Sequence, residues 1–373
     1  MGEVKPILFH RSAATCDWQC RQKRFWNYEY LGRGITPPET QLELYLGTLI
    51  HDGVAAMVHN VDIDKIAQAG VTQLRAKLLE GRELDSDAQF LADEQCALAE
   101  GLLRGFHRSM WQIIQAEYPE VIVCEKELVY NYEIDGTKLR FLSKPDLVRR
   151  DKDGNLWVFE WKTTLSNKEE WIHQWETAVQ VHAQIRTVEE ALGEPVAGCI
   201  VQGFYKSYIS QWKRCESIFC YAYHHPGNPP FEKPKWAYEY KAGLKKFPVW
   251  QRDGGVKQWI AEMPMALLAS QFPQTPPLFK NEMIVEKFFR QQGRREIDIR
   301  NYRSFATGGV VPEDIHDRTF PMHFESCNAW SRPCAYKRLC FGAPVNPLSI
   351  GYTLRHSHHD MEEDVLNAQG HDD

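Results

Sequence analysis

Two acids and an amine stand within one short stretch, KPDLVRRDKDGNLWVFEWK at residues 144–162: Asp146, Glu160 and Lys162. Carboxylates held close together repel, so a pair kept on one face is a reason to expect a cation between them. An amine beside that cation has the charge and reach to orient a water or steady a phosphoryl group, and the three together make a divalent-metal hydrolytic site. Local structure has to deliver that proximity. Leu139 to Arg150 and Leu156 to Thr164 are rich in β-branched and aromatic residues, and the Asp-Lys-Asp-Gly-Asn run between them carries turn chemistry. This predicts a β-hairpin with Asp153 near its tip. A turn centred there sets Asp146 opposite Glu160, about 5 Å away on one face, and the two-residue period of a strand puts Lys162 on the face of Glu160. Pro145 withholds a ladder hydrogen bond, so the first strand should bend or open at Asp146 and free it to turn toward a ligand.

Pro145-Asp146, thirteen residues, then Glu160-Trp161-Lys162 resembles the signature of the PD-(D/E)xK nuclease superfamily. A second motif, Gly47-Thr-Leu-Ile-His51, lies on a predicted helix, where Gly47 and His51 share a face and the glycine would let the helix approach a neighbouring element. A Gly-x-x-x-His helix ahead of such a hairpin resembles the RecB-type branch. That branch also carries Gln-x-x-x-Tyr on the helix after the lysine; Gln180 resembles its first residue, whereas Gln184 stands where the Tyr would be. The resemblance implies an α/β fold, a restriction-endonuclease-like core with a mixed sheet flanked by helices, helical additions and a C-terminal cysteine cluster. It implies catalytic roles for Asp146, Glu160, Lys162 and Gln180. One or two Mg²⁺ or Mn²⁺ ions would be held by His51, Asp146 and Glu160, with the Trp161 carbonyl a candidate ligand. The activity implied is hydrolysis of phosphodiester bonds by an exonuclease working on DNA ends, on single strands or free ends.

Cys327, Cys334 and Cys340 fall within fourteen residues, with Pro333 bending the backbone between them. Three such thiolates can converge on one soft metal centre that needs a fourth, and Cys16 and Cys20 are the candidates. A subgroup of RecB-like nucleases places one Cys before a basic-aromatic helix and three near the C-terminus, together holding a 4Fe-4S cluster that staples the ends of the domain. Cys20, directly before Arg-Gln-Lys-Arg-Phe-Trp, resembles the first of these better than Cys16. The subgroup's Cys-x2-Cys-x5-Cys differs here in its first gap, which is six, and this leaves open zinc, as the lesser alternative, or two unrelated cysteine pairs. Cys96, Cys124, Cys199, Cys215 and Cys220 sit in helix or strand patterns and read as core residues.

Arg21, Lys23 and Arg24 interleave with Phe25, Trp26 and Tyr28, a pattern suited to phosphates and bases and equally to a solvated helix end leading into core aromatics. Net charge is −6, but residues 360–373 carry six acids and no Lys or Arg, so the rest is neutral; a globally basic nucleic-acid binder is excluded and a local basic groove is not. No apolar run is long enough to span a membrane or serve as a secretory signal, so a cytoplasmic protein is expected, without a membrane and with reduced thiols. The rival from another class is a non-catalytic DNA-binding or scaffold protein that keeps the fold and metal cluster.

The elements that would carry these residues follow from periodicity. Helices are predicted from Glu39, over 61–79 and over 88–117, strands over 121–132 and through the hairpin, then one helix over 168–192 ended by Gly193, and strands over 196–205 and 215–223. A helix crossing over between strands makes a mixed α/β core. Helical pattern returns at 256–270 and 284–302, whereas 224–254 resists assignment. Residues 1–345 read as one domain. Residues 346–373, acidic and holding His356, His358 and His359, read as a tail that is disordered from about Leu354.

Overall fold

A computed structural model describes residues 5–38, 42–80, 85–165, 168–206, 217–224, 245–306, 313–331, 333–342, 345–357 and 359–368. The hairpin is present, and its arms are β5 and β6 of the scaffold: β1 (Ile7–His10), β2 (Glu120–Cys124), β3 (Leu128–Ile134), β4 (Thr137–Ser143), β5 (Leu147–Arg150), β6 (Leu156–Thr164) and β7 (Val196–Tyr205). Leu147 pairs with Phe159 and Arg150 with Leu156, a register symmetric about Asp153. The Asp151 side chain builds the turn by accepting from the backbone N–H of Asp153 (2.9 Å) and Asn155 (2.8 Å) and from the Trp157 indole (2.8 Å). Gly154 supplies the left-handed residue, φ 89°.

Two stretches predicted as continuous strands are each divided between two sheets. The order β2-β5-β6-β7 forms one sheet and β1-β4-β3 the other. Residues 121–132 leave the first sheet at Glu125, whose φ of 49° turns the chain, and enter the second at Leu128. Residues 139–150 cross back through Lys144, Pro145 and Asp146, where proline cannot donate to a ladder. The crossings lie side by side, because Cys124 pairs with Leu147, Leu128 pairs with Ser143, and Glu125 N–H donates to the Asp146 carbonyl at 3.3 Å. The outcome is a seam between the sheets lined by the charged residues of both breaks.

Helices cover the faces. The first, α1 (Arg11–Gln19), follows β1 directly; α2 (Leu42–Val58), α3 (Ile63–Leu79) and α4 (Ser86–Phe106) pack against one face of the first sheet, where Phe106 meets Trp161, Phe204 and Phe272 at ring separations of 4.8 to 5.8 Å. The other face of β6 presents Val158 to α5 (Val179–Leu192), the predicted crossover, and β6 runs parallel to β7. The helix predicted over 168–192 is in fact two, Lys168–His173 and α5, parted by a turn at 174–177, and Gly193 ends it in the left-handed region. Of the strand predicted over 215–223, Cys215 lies outside the described residues and a strand runs Tyr221–His224.

The last layer joins the chain's two ends. Arg24 is buried between Glu29 (3.1 Å) and Glu296 (3.2 Å) of α6 (Glu282–Ala306), and Arg303 of that helix reaches Glu29 at 2.6 Å. Ile35–Thr36 pairs antiparallel with Thr353–Leu354. Where disorder was predicted from about Leu354, the described residues 354–357 and 359–368 are structured, while His358 and residues 369–373 lie outside the described residues: α7 (Asp360–Ala368) docks with Glu362 Oε2 3.2 Å from His10 Nε2 and Oε1 2.8 Å from Arg355, Glu363 on Arg33, and His359 2.6 Å from Glu127. The reason is that Glu362 and Glu363 meet His10 and Arg33, and His359 meets Glu127, all far away in sequence, which an acidic composition does not reveal. No helix among the described residues is long and apolar enough to cross a membrane.

Candidate active site

At the seam, Asp146 is buried and satisfied on both oxygens. Oδ1 lies 3.1 Å from His51 Nδ1, Oδ2 accepts the Trp161 N–H at 2.6 Å, and Lys162 Nζ stands 3.9 Å from Oδ2. Burial opposes its charge, but His51, Lys162 and the Trp161 amide outweigh burial and hold the carboxyl below the ordinary range. Glu160, equally buried, moves the other way: burial and the charge of Asp146 raise its pKa against the opposing pull of Lys162. Its Oε2 takes hydrogen bonds from Lys162 Nζ (2.7 Å) and from the Gln180 amide, whereas Oε1 has none. The alternation of β6 explains the set: Phe159 and Trp161 point into the α2–α4 core, so Glu160 and Lys162 face α5, where Gln180 sits in the first turn.

His51 reaches the seam from α2. Burial would lower its pKa, but the charge of Asp146 and close contact with the Asp146 and Glu125 carboxylates raise it to about 10. Gly47 does not serve the close approach predicted for it, since a Cβ there would meet nothing within 4 Å. Trp161 touches the site through its amide N–H, and its ring is core.

Two site residues were not read from the sequence. Glu125 places Oε1 3.6 Å from His51 Nδ1 and Oε2 3.3 Å from Lys144 Nζ, and Oε1 is buried without a hydrogen bond. Its signal was the charged Glu-Lys-Glu break between two apolar strands. Arg11 donates from Nη1 to Gln180 Oε1 at 2.7 Å; nothing local announces it, because only the pairing of β1 with β4 brings it here. His51, Glu125 and Asp146 each offer a ligand atom, all within 4.8 Å of one another. One imidazole, several carboxylates and two carboxylate oxygens lacking any hydrogen bond are a donor set that fits a hard divalent cation.

None of Cys20, Cys327, Cys334 and Cys340 is in a disulfide. Burial raises Cys340 to about 11, with the charges of Cys334, Cys20 and Cys327 adding to it, and burial raises Cys327 with Cys334 and Cys20 adding. The four are thus close enough for their charges to act on one another. Cys16 instead lies beside Asn27 and Tyr336, raised to about 11 by burial. Of the basic run, Arg21 is exposed and Lys23 bonds Gln19 at 2.9 Å, but Arg24 cannot meet a phosphate: its guanidinium is buried and consumed by Glu29 and Glu296.

A family model for the PD-(D/E)XK nuclease superfamily matches residues 19–206, a span that holds His51, Glu125, Asp146, Glu160, Lys162 and Gln180. The chain belongs to that superfamily. One solved protein, described as "Crystal structure of SSO0001", is similar over 46% of this chain and 77% of its own, at 14% identity and a TM-score of 0.21, a likeness too slight to bear on fold or function. No curated protein matches.

Proposed function

We propose that this protein is an Mg²⁺- or Mn²⁺-dependent DNA nuclease of the RecB-like branch, an exonuclease acting on DNA ends in the cytoplasm. The observation that carries the reading is the buried Glu160 carboxylate, with one oxygen on Lys162 and Gln180 and the other unbonded, beside the His51, Glu125 and Asp146 donor group. His51, Glu125, Asp146 and Glu160 would hold the cation, the Trp161 carbonyl being a further candidate. A cation there supplies Lewis-acid chemistry, lowering the pKa of water and offsetting charge on the phosphoryl oxygens. Lys162, already turned to Glu160, holds the attacking water and a phosphate oxygen in line, and Gln180 keeps Glu160 from rotating away. Cys20, Cys327, Cys334 and Cys340 would hold a 4Fe-4S cluster; their mutual influence supports this, and metal analysis distinguishes iron from zinc.

The test is incubation of anaerobically purified protein with end-labelled linear single- and double-stranded DNA and with closed circles, with Mn²⁺, Mg²⁺ or chelator. Metal-dependent release of nucleotides from linear DNA, with circles intact, is expected. Binding without cleavage in every arm would make the protein a non-catalytic DNA-binding relative.

A further inference from the structure

Arg11 is a cation that the proposed hydrolysis leaves without a task. The parallel register that sets His10 beside Leu142 delivers it, at the start of α1, to the end of β4 where the seam begins. Its Nη1 is pinned on Gln180, which in turn donates to Glu160, so the guanidinium stands two hydrogen bonds from that carboxylate. Its charge reaches both Glu160 and Lys162. The neighbouring amines are matched, Lys162 with Glu160 and Lys144 with Glu125. Among the described residues no carboxylate lies within ion-pairing distance of Arg11, and the side chain is half-buried, open on one side to solvent. A guanidinium is a planar fork that grips phosphate through two parallel N–H donors; with one corner held by Gln180, Nε and Nη2 remain for that purpose.

We propose that Arg11 is a catalytic residue that contacts the non-bridging oxygens of the scissile phosphate, aimed by Gln180. This rests on the nuclease reading. In hydrolysis the water oxygen bonds to phosphorus and loses a proton, the bond to the departing nucleoside oxygen breaks, and that oxygen takes up a proton. Charge gathers on the non-bridging oxygens between those events, and Arg11 stabilises it there.

Parent, Arg11→Ala, Arg11→Lys and Gln180→Ala proteins are compared in three measurements: Mn²⁺ affinity without DNA, oligonucleotide affinity in Ca²⁺, and single-turnover cleavage in Mn²⁺. Arg11→Ala is expected to bind Mn²⁺ like the parent, to bind DNA on the order of tenfold more weakly, and to cleave about a hundredfold more slowly, with Arg11→Lys recovering part. A neutral methylphosphonate at the scissile position should erase the affinity difference between parent and Arg11→Ala. Parental cleavage by Arg11→Ala overturns the proposal and leaves the nuclease reading standing. A loss of Mn²⁺ affinity matching that of Gln180→Ala also overturns it, making Arg11 a positioning residue for Glu160. A parent that binds but does not cut removes the nuclease reading, and the methylphosphonate comparison then decides alone whether Arg11 touches phosphate.

Discussion

Asp146 carries two close donors, His51 and the Trp161 N–H, with Lys162 at ion-pair distance, and Lys162 carries none of the metal's ligand atoms; changing them should therefore break different things. Asp146→Asn removes charge from the donor group, so Mn²⁺ affinity and turnover fall together. Lys162→Ala keeps the ligands, so Mn²⁺ binding persists while turnover drops on the order of a hundredfold. Glu125→Gln should weaken Mn²⁺ about tenfold or more with cleavage recovered at saturating metal. Calorimetric titration of each variant beside a cleavage assay checks all three, and parental behaviour in Asp146→Asn would mean that the site lies elsewhere. The residues on β6 were legible because a strand's two-residue period and a symmetric turn fix who faces whom. His51 was legible by its motif. Glu125 and Arg11 were not, since their places depend on a chain reversal at φ 49° and on a parallel strand pairing of residues more than a hundred positions apart.

The hairpin and its seam can be separated by experiment. Gly154 has φ 89°, and a Cβ at that position would meet nothing within 4 Å, so Gly154→Ala introduces backbone strain and no clash. It should cost about 1–2 kcal/mol of stability and leave single-turnover cleavage intact, because the register is held from Asp151 and the site lies at the far end of the arms. Urea unfolding and the cleavage assay on one preparation decide it; a large activity loss would show that the turn governs the site's alignment. At this scale the sequence marked where elements lie better than which sheet they join. Leu156–Thr164 and Val196–Tyr205 are strands as predicted, since apolar runs bounded by turn residues have few alternatives. Pro145 announced a bend, but that the bend transfers the chain to a second sheet is decided by the matching break at Glu125.

Over the whole molecule, the two ends are tied by charge. His10 is buried against Glu362, His359, Tyr28 and Arg24, and burial lowers its pKa from 6.5 to about 4 despite Glu362. The unfolded chain takes up that proton first, so stability should decline by roughly 3 kcal/mol as pH falls from about 6.5 to about 4. Glu362, whose carboxyl is held below the ordinary range by His10 and Arg355 against burial, gives up its contribution at still lower pH. His10→Gln should flatten the decline between those values, read as melting temperature against pH; an unchanged slope would assign the acid sensitivity to other groups. Cys334→Ser tests the other tie. If a cluster joins Cys20 to Cys327, Cys334 and Cys340, it closes a loop of about three hundred residues, and its loss should cost on the order of 6 kcal/mol. Anaerobic iron and sulfide content with denaturant midpoints checks it; iron-free parent protein sinks the cluster.

The docking of α7 on His10 also sets a clock. β1 and Arg11 are made long before Glu362, so the partners that finish burying His10 arrive only after Glu362 has been made. Until then the imidazole stays wet. Contacts between residues so distant along the chain form late and slowly. A nascent chain halted before residue 362 therefore holds every motif of the hydrolytic site while His10, the chain neighbour of Arg11, still lacks Glu362.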